Sequence, residues 1–300
     1  MYLDCFKIPI DKEEAMLKKR MIQNGGPKHG YIDNSYPCGL FFYKQFHEVN
    51  FDCITIFYGG NGSGKSTLLN LIAQKLKLNR VAPYNTGEMF DLYVEECTYE
   101  TGEDDEGFPY TIPAGSRIIT SDDIFDYMLS VRENNEVLEE SKEDLKEDWR
   151  ELRYGETIQL KGLEDYEALR KQVLARSRSV SRRQYIGWLA GGEVKLNSNG
   201  ETALEYFHTK LKNDKLYLLD EPENSMSPQM QLKLVEMLKT LSRYCGCQFV
   251  IATHSPLLLA IEGARIYDLD ACPVTISNWW ELENTRILFD FFDKHRDLFR

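Results

Sequence analysis

The sequence predicts an α/β fold: a mostly parallel sheet flanked by helices, with an N-terminal antiparallel β portion and a helical insertion. Three observations predict it. First, Cys53-Ile-Thr-Ile-Phe-Tyr58 is a short β-branched and aromatic run. Glycines follow at once, and then Ser66-Thr-Leu-Leu-Asn-Leu-Ile-Ala-Gln-Lys-Leu76, with apolar residues at helical spacing. Second, two further apolar runs, Lys215–Asp220 and Gln248–Thr253, flank a helix-patterned stretch. That stretch is Ser227–Tyr244, with Ser227 at its cap and Pro228 in its first turn. Strands that alternate with helices build a parallel sheet covered on both faces. Third, composition shifts over residues 122–196, which are charged and helix-forming.

The remaining elements follow in order. Residues 1–10 alternate weakly and read as a first strand, and Asp11–Arg20 as a short charged helix or loop. Gln23-Asn-Gly-Gly-Pro27 reads as a turn. Leu40-Phe-Phe-Tyr43 and Val49-Asn-Phe51 are strand-like and lead into the glycine-bounded strand. Thr101–Gly107 is an acidic loop that lacks the late Glu of a calcium loop. Ser116–Thr120 is a short strand, with Ser121-Asp-Asp123 capping the next helix. Within 122–196, Asn134–Arg153 is acidic and a second helix follows Gly162. The stretch Ala168–Gly192 contains no acidic residue but carries Arg170, Lys171, Arg176, Arg178, Arg182 and Arg183. This Arg170–Arg183 run has two readings: salt bridges to the acidic arm, or contact with nucleic acid or an acidic partner. Gly191-Gly192 breaks the helix. Thr202–Leu211 is helical, Ala264–Leu269 and Val274–Ile276 are late strands, and Asn278–Phe299 is a closing helix. The expected organisation is one domain over 1–300 with the insertion at 122–196 inside it.

Composition bounds the function. The chain has 300 residues, 42% hydrophobic and 28% charged, which suits a globular domain. No run approaches the length of a membrane span, and the first residues lack a signal-peptide pattern, so a cytoplasmic location is expected. The seven cysteines are scattered without zinc spacing and read as reduced thiols. The net charge of −12 disfavours a general nucleic-acid coat but leaves room for a local basic groove.

The chemistry concentrates in Gly59-Gly-Asn-Gly-Ser-Gly-Lys-Ser-Thr67, which matches the phosphate-binding loop pattern over Gly59–Ser66. Gly59, Gly60, Asn61, Gly62, Ser63 and Gly64 form a turn that aims backbone N–H groups and a helix N-terminus at one point. A polyphosphate satisfies those donors. Lys65 reaches the terminal phosphates and Ser66 ligates Mg²⁺, with Thr67 beside it. Asp220 ends an apolar strand where an open α/β sheet binds ligands, and is placed to hold Mg²⁺. Glu221 is the candidate to orient or deprotonate an attacking water, and His254 to contact the γ-phosphate. Ser198 and Gly200 start a helix and offer donors to a phosphate, with Glu201 in its first turn; a mere capped turn is the competing reading. Tyr43 is a candidate to stack on adenine, with strand packing as the competing reading.

In this order the motifs resemble the ABC-type ATPases, and more closely the soluble branch related to chromosome maintenance and repair. Gly59–Ser66 matches Walker A, Ser198-Asn-Gly-Glu201 the signature, and Leu216–Glu221 Walker B. Asn224–Pro228 matches the D-loop and Thr253-His-Ser-Pro256 the switch histidine. The resemblance implies ATP and Mg²⁺ as ligands, hydrolysis, and a head-to-tail dimer. In that dimer Ser198, Gly200 and Glu201 act on ATP held by a second copy. Asn199 stands where the family has Gly. The family's Q-loop glutamine has no counterpart near Thr120: Ser121 or Asp122 would substitute, and Gln159 lies deeper in the insertion. Asp220-Glu-Pro-Glu-Asn224 with Thr-His-Ser-Pro looks like stand-alone ATPases of bacterial antiviral-defence loci that act on a protein partner. The alternatives are a transporter's nucleotide-binding subunit and a non-hydrolysing ATP sensor partnered with a nuclease or toxin.

Overall fold

The computed structural model describes residues 1–23, 35–84, 86–104, 106–156, 166–177, 180–190 and 198–299. In chain order these form β1 (Cys5–Lys7), α1 (Asp11–Gln23), β2 (Glu48–Asn50), β3 (Ile54–Tyr58), α2 (Lys65–Lys75), α3 (Glu88–Glu96), β4 (Thr98–Glu100) and β5 (Arg117–Thr120). Then come α4 (Ser121–Tyr154), α5 (Tyr166–Arg176), α6 (Arg182–Ala190), α7 (Asn199–Lys210), β6 (Leu216–Asp220), α8 (Pro228–Tyr244) and β7 (Gln248–Ala252). The chain ends with α9 (Pro256–Leu259), β8 (Arg265–Asp268), β9 (Thr275–Ile276) and α10 (Glu283–Lys294).

Two sheets result. The larger runs β5-β6-β7-β3-β8-β9, parallel up to β8, with β9 antiparallel at one edge. The smaller is antiparallel, β2-β1-β4. Strands β3 and β7 are buried along their whole length, as expected for central strands covered on both faces. One apolar core joins Phe57 of β3, Leu68, Leu69 and Ile72 of α2, Leu218 of β6, and Phe6 and Val49 of the small sheet. The register matters most for function. Thr120 pairs with Asp220, Asp220 with Ala252, Ala252 with Phe57, and Phe57 with Tyr267. The C-terminal ends of five strands therefore stand level, and the loops leaving them meet.

The chain divides into two compact units, Met1–Phe125 with Asn199–Arg300, and Asp126–Ser198. In the second, Ala175, Tyr185 and Ile186 pack with Leu145, Trp149 and Leu152. Arg176 donates to the main-chain carbonyls of Leu152 (3.0 Å) and Gly155 (2.8 Å) at the end of α4. Arg153 donates in return to the Ala175 carbonyl at 2.7 Å. Arg176 thus closes a helix C-terminus, where a cation is favourable, a role neither sequence reading of the basic run contains. Arg178, Gln159, Gly191-Gly192 and residues 24–27 of the expected turn lie outside the described residues.

Three local expectations change. Leu40–Tyr43 is not a strand: a turn leads into a 3₁₀ helix, Phe42–Lys44, closed by Gln45 at φ 51°. Phe41 is buried while Phe42 and Tyr43 are exposed, so the aromatic run lacks the alternation a strand needs. Helix α3 and strand β4 went unread, although Met89, Phe90, Tyr93 and Val94 fall at helical spacing and are buried. The closing helix is shorter than 278–299, with a separate 3₁₀ turn at Arg296–Phe299.

Candidate functional site

Helix α2 begins at Gly64, whose φ of 103° is open to glycine and costly for other residues; no side chain caps it. A Cβ there would lie 3.0 Å from Phe41 Cε1 and 3.2 Å from Leu40 Cδ2, so the space also demands glycine. The result is a helix N-terminus with its amides turned toward an open cavity of about 330 Å³. Asn61 to Thr67 line that cavity, with Tyr36, Leu40 and Glu221. Tyr36 Oη donates to Thr67 Oγ1 at 2.9 Å and its ring stacks on Phe90.

The electrostatics point to an anion. Lys65 is 5% exposed, and its ammonium donates to the carbonyls of Gly59 (2.7 Å) and Gly60 (3.0 Å). Among the described residues it makes no ion pair. Ser63 Oγ is buried without a hydrogen-bond partner. A buried cation, an orphaned hydroxyl and an uncapped helix start are together short of an acceptor. Polyphosphate oxygens satisfy that demand. The residues therefore fit the ligand the motif implies.

The acidic side of the cavity comes from the end of β6. Ser66 Oγ donates to Asp220 Oδ1 at 3.0 Å, so the hydroxyl and carboxylate that would share Mg²⁺ are already adjacent. Burial raises the Asp220 carboxyl from 3.8 to about 6; the Ser66 hydrogen bond works against that rise, while Glu221 adds to it. Glu221 sits at φ 47°, a left-handed backbone that costs a non-glycine residue about 1–2 kcal/mol. Its N–H donates to the Ala252 carbonyl (2.9 Å), and Asn224 Nδ2 donates to its Oε2 (3.1 Å). His254 Nδ1 lies 3.6 Å from Glu221 Oε1 and 3.7 Å from Glu223 Oε1. Glu223 is buried. Its Oε1 accepts from Thr253 Oγ1 (2.5 Å) and from the His254 main-chain N–H (3.2 Å).

So Gly59–Thr67, Asp220, Glu221 and His254 come together. Gly200 and Glu201 do not line the cavity: they lie in the first turn of α7, where a Cβ on Gly200 would approach Met230 Cγ at 3.1 Å. Ser198 falls in the 126–198 unit. Near Thr120, Asp123 rather than Ser121 or Asp122 does the capping, accepting from Thr120 N (2.7 Å) and Ala82 N (3.0 Å). Asp122 is exposed. Tyr43 is 75% exposed beside Phe42 and outside the cavity. No helix among the described residues is long and apolar enough to cross a membrane.

Sequence reasoning missed four residues. Lys44 donates to the carbonyls of Ser63 (2.7 Å) and Leu269 (2.5 Å). Asp270 Oδ2 accepts the Gly60 N–H at 2.7 Å. Tyr36 and Glu223 complete the set. Only Glu223 left a local signal, as the second acid of Asp-Glu-Pro-Glu.

A level row of strand ends, a glycine-lined helix start and an acid pair at the end of β6, two strands from β3, make up the P-loop arrangement that the motif implies. Residues 202–260 match the AAA domain family described as "putative AbiEii toxin, Type IV TA system". Over 231 residues the chain is 27% identical to an uncharacterized ABC transporter ATP-binding protein/permease of Saccharomyces cerevisiae. The match covers 72% of this chain and spans 16% of that relative's length. Among solved structures, the head domain of SMC from Thermotoga maritima aligns with a TM-score of 0.41 at 14% identity, covering 93% of this chain and 99% of that one. A dimeric ATP-binding cassette in a post-hydrolysis state with ADP and Pi aligns at 0.36 and 16% identity, covering 77% and 88%.

Proposed function

We propose that the protein binds and hydrolyses ATP with Mg²⁺, dimerises head to tail around the nucleotide, and passes the resulting change to a protein partner. The observation that carries the reading is the buried Lys65 ammonium on two carbonyls, facing an uncapped helix start 3.0 Å-linked through Ser66 to Asp220. In this reading the α2 N-terminus and Lys65 bind the phosphates, and Ser66 and Asp220 hold the metal. Mg²⁺, when bound, neutralises charge that builds on the phosphate oxygens. Glu221 takes or steers the proton of the attacking water, and His254 sits beside it to sense the γ-phosphate. Ser198, Gly200 and Glu201 serve a second copy's nucleotide, consistent with Gly200 and Glu201 lying off their own cavity. The defence-type reading rests on Asp220-Glu-Pro-Glu-Asn224 and on the toxin–antitoxin description of the matching family.

The test is a Glu221→Gln variant, which keeps the side-chain shape but cannot accept the water proton. ATP hydrolysis is expected to fall at least about 100-fold. Light scattering with Mg²⁺ and ATP is expected to show twice the monomer mass. A strictly monomeric variant under saturating ATP removes the dimer from the reading, and unchanged turnover removes Glu221 from the chemistry.

A further inference from the structure

His254 stands between two carboxylates, and a hydrogen bond from its imidazole to Glu221 would compete with that acid's work on water. The structure supplies a second acid. Glu223 is 5% exposed. One of its oxygens accepts from Thr253 Oγ1 and the His254 N–H, while the other, Oε2, is buried with no hydrogen-bond partner. Unpartnered buried oxygens are rare because each forfeits its hydration. The surroundings of Glu223 are fixed. Thr253 is fully buried and its hydroxyl also accepts the Ser255 N–H at 3.0 Å. Ser255 Oγ donates to Gln231 Oε1 (2.7 Å), and Gln231 Nε2 to the Met226 carbonyl (3.1 Å). His254 is half-exposed, with 47% of its side chain open to solvent. A half-exposed ring therefore stands beside a buried acid: Oε1 lies 3.7 Å from Nδ1 and is held by Thr253 and the His254 N–H, while Oε2 of the same carboxylate has no partner.

We infer that Glu223 is a positioning residue: its carboxylate accepts a hydrogen bond from His254 Nδ1–H, fixes which ring nitrogen carries the hydrogen, and leaves Glu221 free. The inference rests on the hydrolysis reading above for its consequence, though not for its geometry. Nδ1 faces both acids at nearly equal distance, 3.6 and 3.7 Å. Glu221 is also engaged by Asn224. With Nδ1–H turned to Glu223, the lone pair of Nε2 points outward. Nε2 is then an acceptor while the ring is neutral, and a donor toward a phosphate oxygen once the ring takes a second proton; which nitrogen carries the hydrogen of the neutral ring is set by the bond the other makes.

Two measurements test this. The first needs no nucleotide: long-range ¹H–¹⁵N spectra of ¹⁵N-histidine protein at alkaline pH, with His254 assigned by its loss in His254→Ala. Wild type is expected to carry the hydrogen on Nδ1, and Glu223→Gln to move it largely to Nε2. Glu223→Gln retains an oxygen for Thr253 and the His254 amide, so it is the variant expected to fold. Thr253→Val, which loosens the acid without touching its charge, is the second, expected to shift the tautomer part of the way. The same tautomer in wild type and both variants overturns the inference. The second measurement is a double-mutant cycle on hydrolysis. Glu223→Gln is expected to lower kcat about tenfold with KM within about twofold, and to have no further effect on top of His254→Ala. Fully additive losses overturn the inference. Wild type that hydrolyses no ATP defeats the functional reading, while the tautomer result still decides the role of Glu223.

Discussion

Ser66 and Asp220, 154 positions apart, are joined by a 3.0 Å hydrogen bond beside the cavity that Asn61–Thr67 and Glu221 line. The bond is a consequence of sheet order. Strand β7 lies between β3 and β6, and the helix that starts at Lys65 reaches across to the end of β6. The carboxylate is held ready at a cost, because burial raises its pKa from 3.8 to about 6.

That shift sets a pH dependence. The folded protein binds the Asp220 proton more tightly than the unfolded chain does, so this residue lowers stability as pH rises from about 4 through 6. Asp220→Asn keeps an oxygen for the Ser66 hydroxyl but carries no charge. Without nucleotide or metal, the variant is expected to be more stable than wild type at neutral pH, by up to about 3 kcal/mol. The difference should vanish below about pH 4, where both side chains are neutral. Urea denaturation across that range checks it. A variant less stable than wild type at every pH contradicts the assignment.

Lys65→Ala removes the buried ammonium that faces the cavity. Two charge-assisted hydrogen bonds to phosphate, each worth about 1.5 kcal/mol, correspond to roughly a 100-fold loss of ATP affinity. Calorimetric titration measures it. Affinity within about threefold of wild type would mean that the nucleotide binds elsewhere.

Much of this was legible in the sequence because it is local. The phosphate loop, its strand and its helix are consecutive, and β6 and β7 announce themselves as apolar runs ending in Asp220-Glu221 and Thr253-His254. What escaped depends on pairing between distant segments. Lys44 meets Leu269 across 225 positions, and Asp270 meets Gly60 across 210. No local pattern marks either. Leu40–Tyr43 misled for a related reason: aromatic content suggested a strand, but Phe41 turns inward alone while Lys44 is drawn to the phosphate loop. Arg176 looked like part of a basic surface. It donates to the carbonyls of Leu152 and Gly155, contacts that charge counting never sees.

The Lys44 contacts yield their own expectation. Its half-buried ammonium, its pKa lowered by desolvation, fastens the Ser63 carbonyl to the Leu269 carbonyl and so braces the phosphate loop from behind. Lys44→Met keeps the apolar stem and removes both bonds. ATP affinity is expected to drop about tenfold, equivalent to about 1.4 kcal/mol of lost preorganisation. Because Lys44 does not line the cavity, adding back salt or phosphate should not restore binding. If affinity holds while thermal stability falls, the brace serves the fold alone.

Arg176 and Arg182 test whether the basic run works within the fold or on an anionic partner. If its work is to close α4, Arg176→Ala should destabilise the 126–198 unit by about 2–3 kcal/mol, since hydrogen bonds from a charged donor to the Leu152 and Gly155 carbonyls are lost together. Arg182→Ala, on an exposed position, should change stability by no more than about 0.5 kcal/mol. Far-UV circular dichroism melts distinguish them, because most of that unit is helical. Salt-dependent binding to a short DNA or RNA duplex supplies the second arm: an Arg182→Ala loss there, with melting unchanged, would assign the exposed arginines to an anionic partner. An Arg176→Ala protein that melts like wild type yet loses nucleic-acid binding would reverse the assignment, making Arg176 a contact residue and its carbonyl bonds incidental.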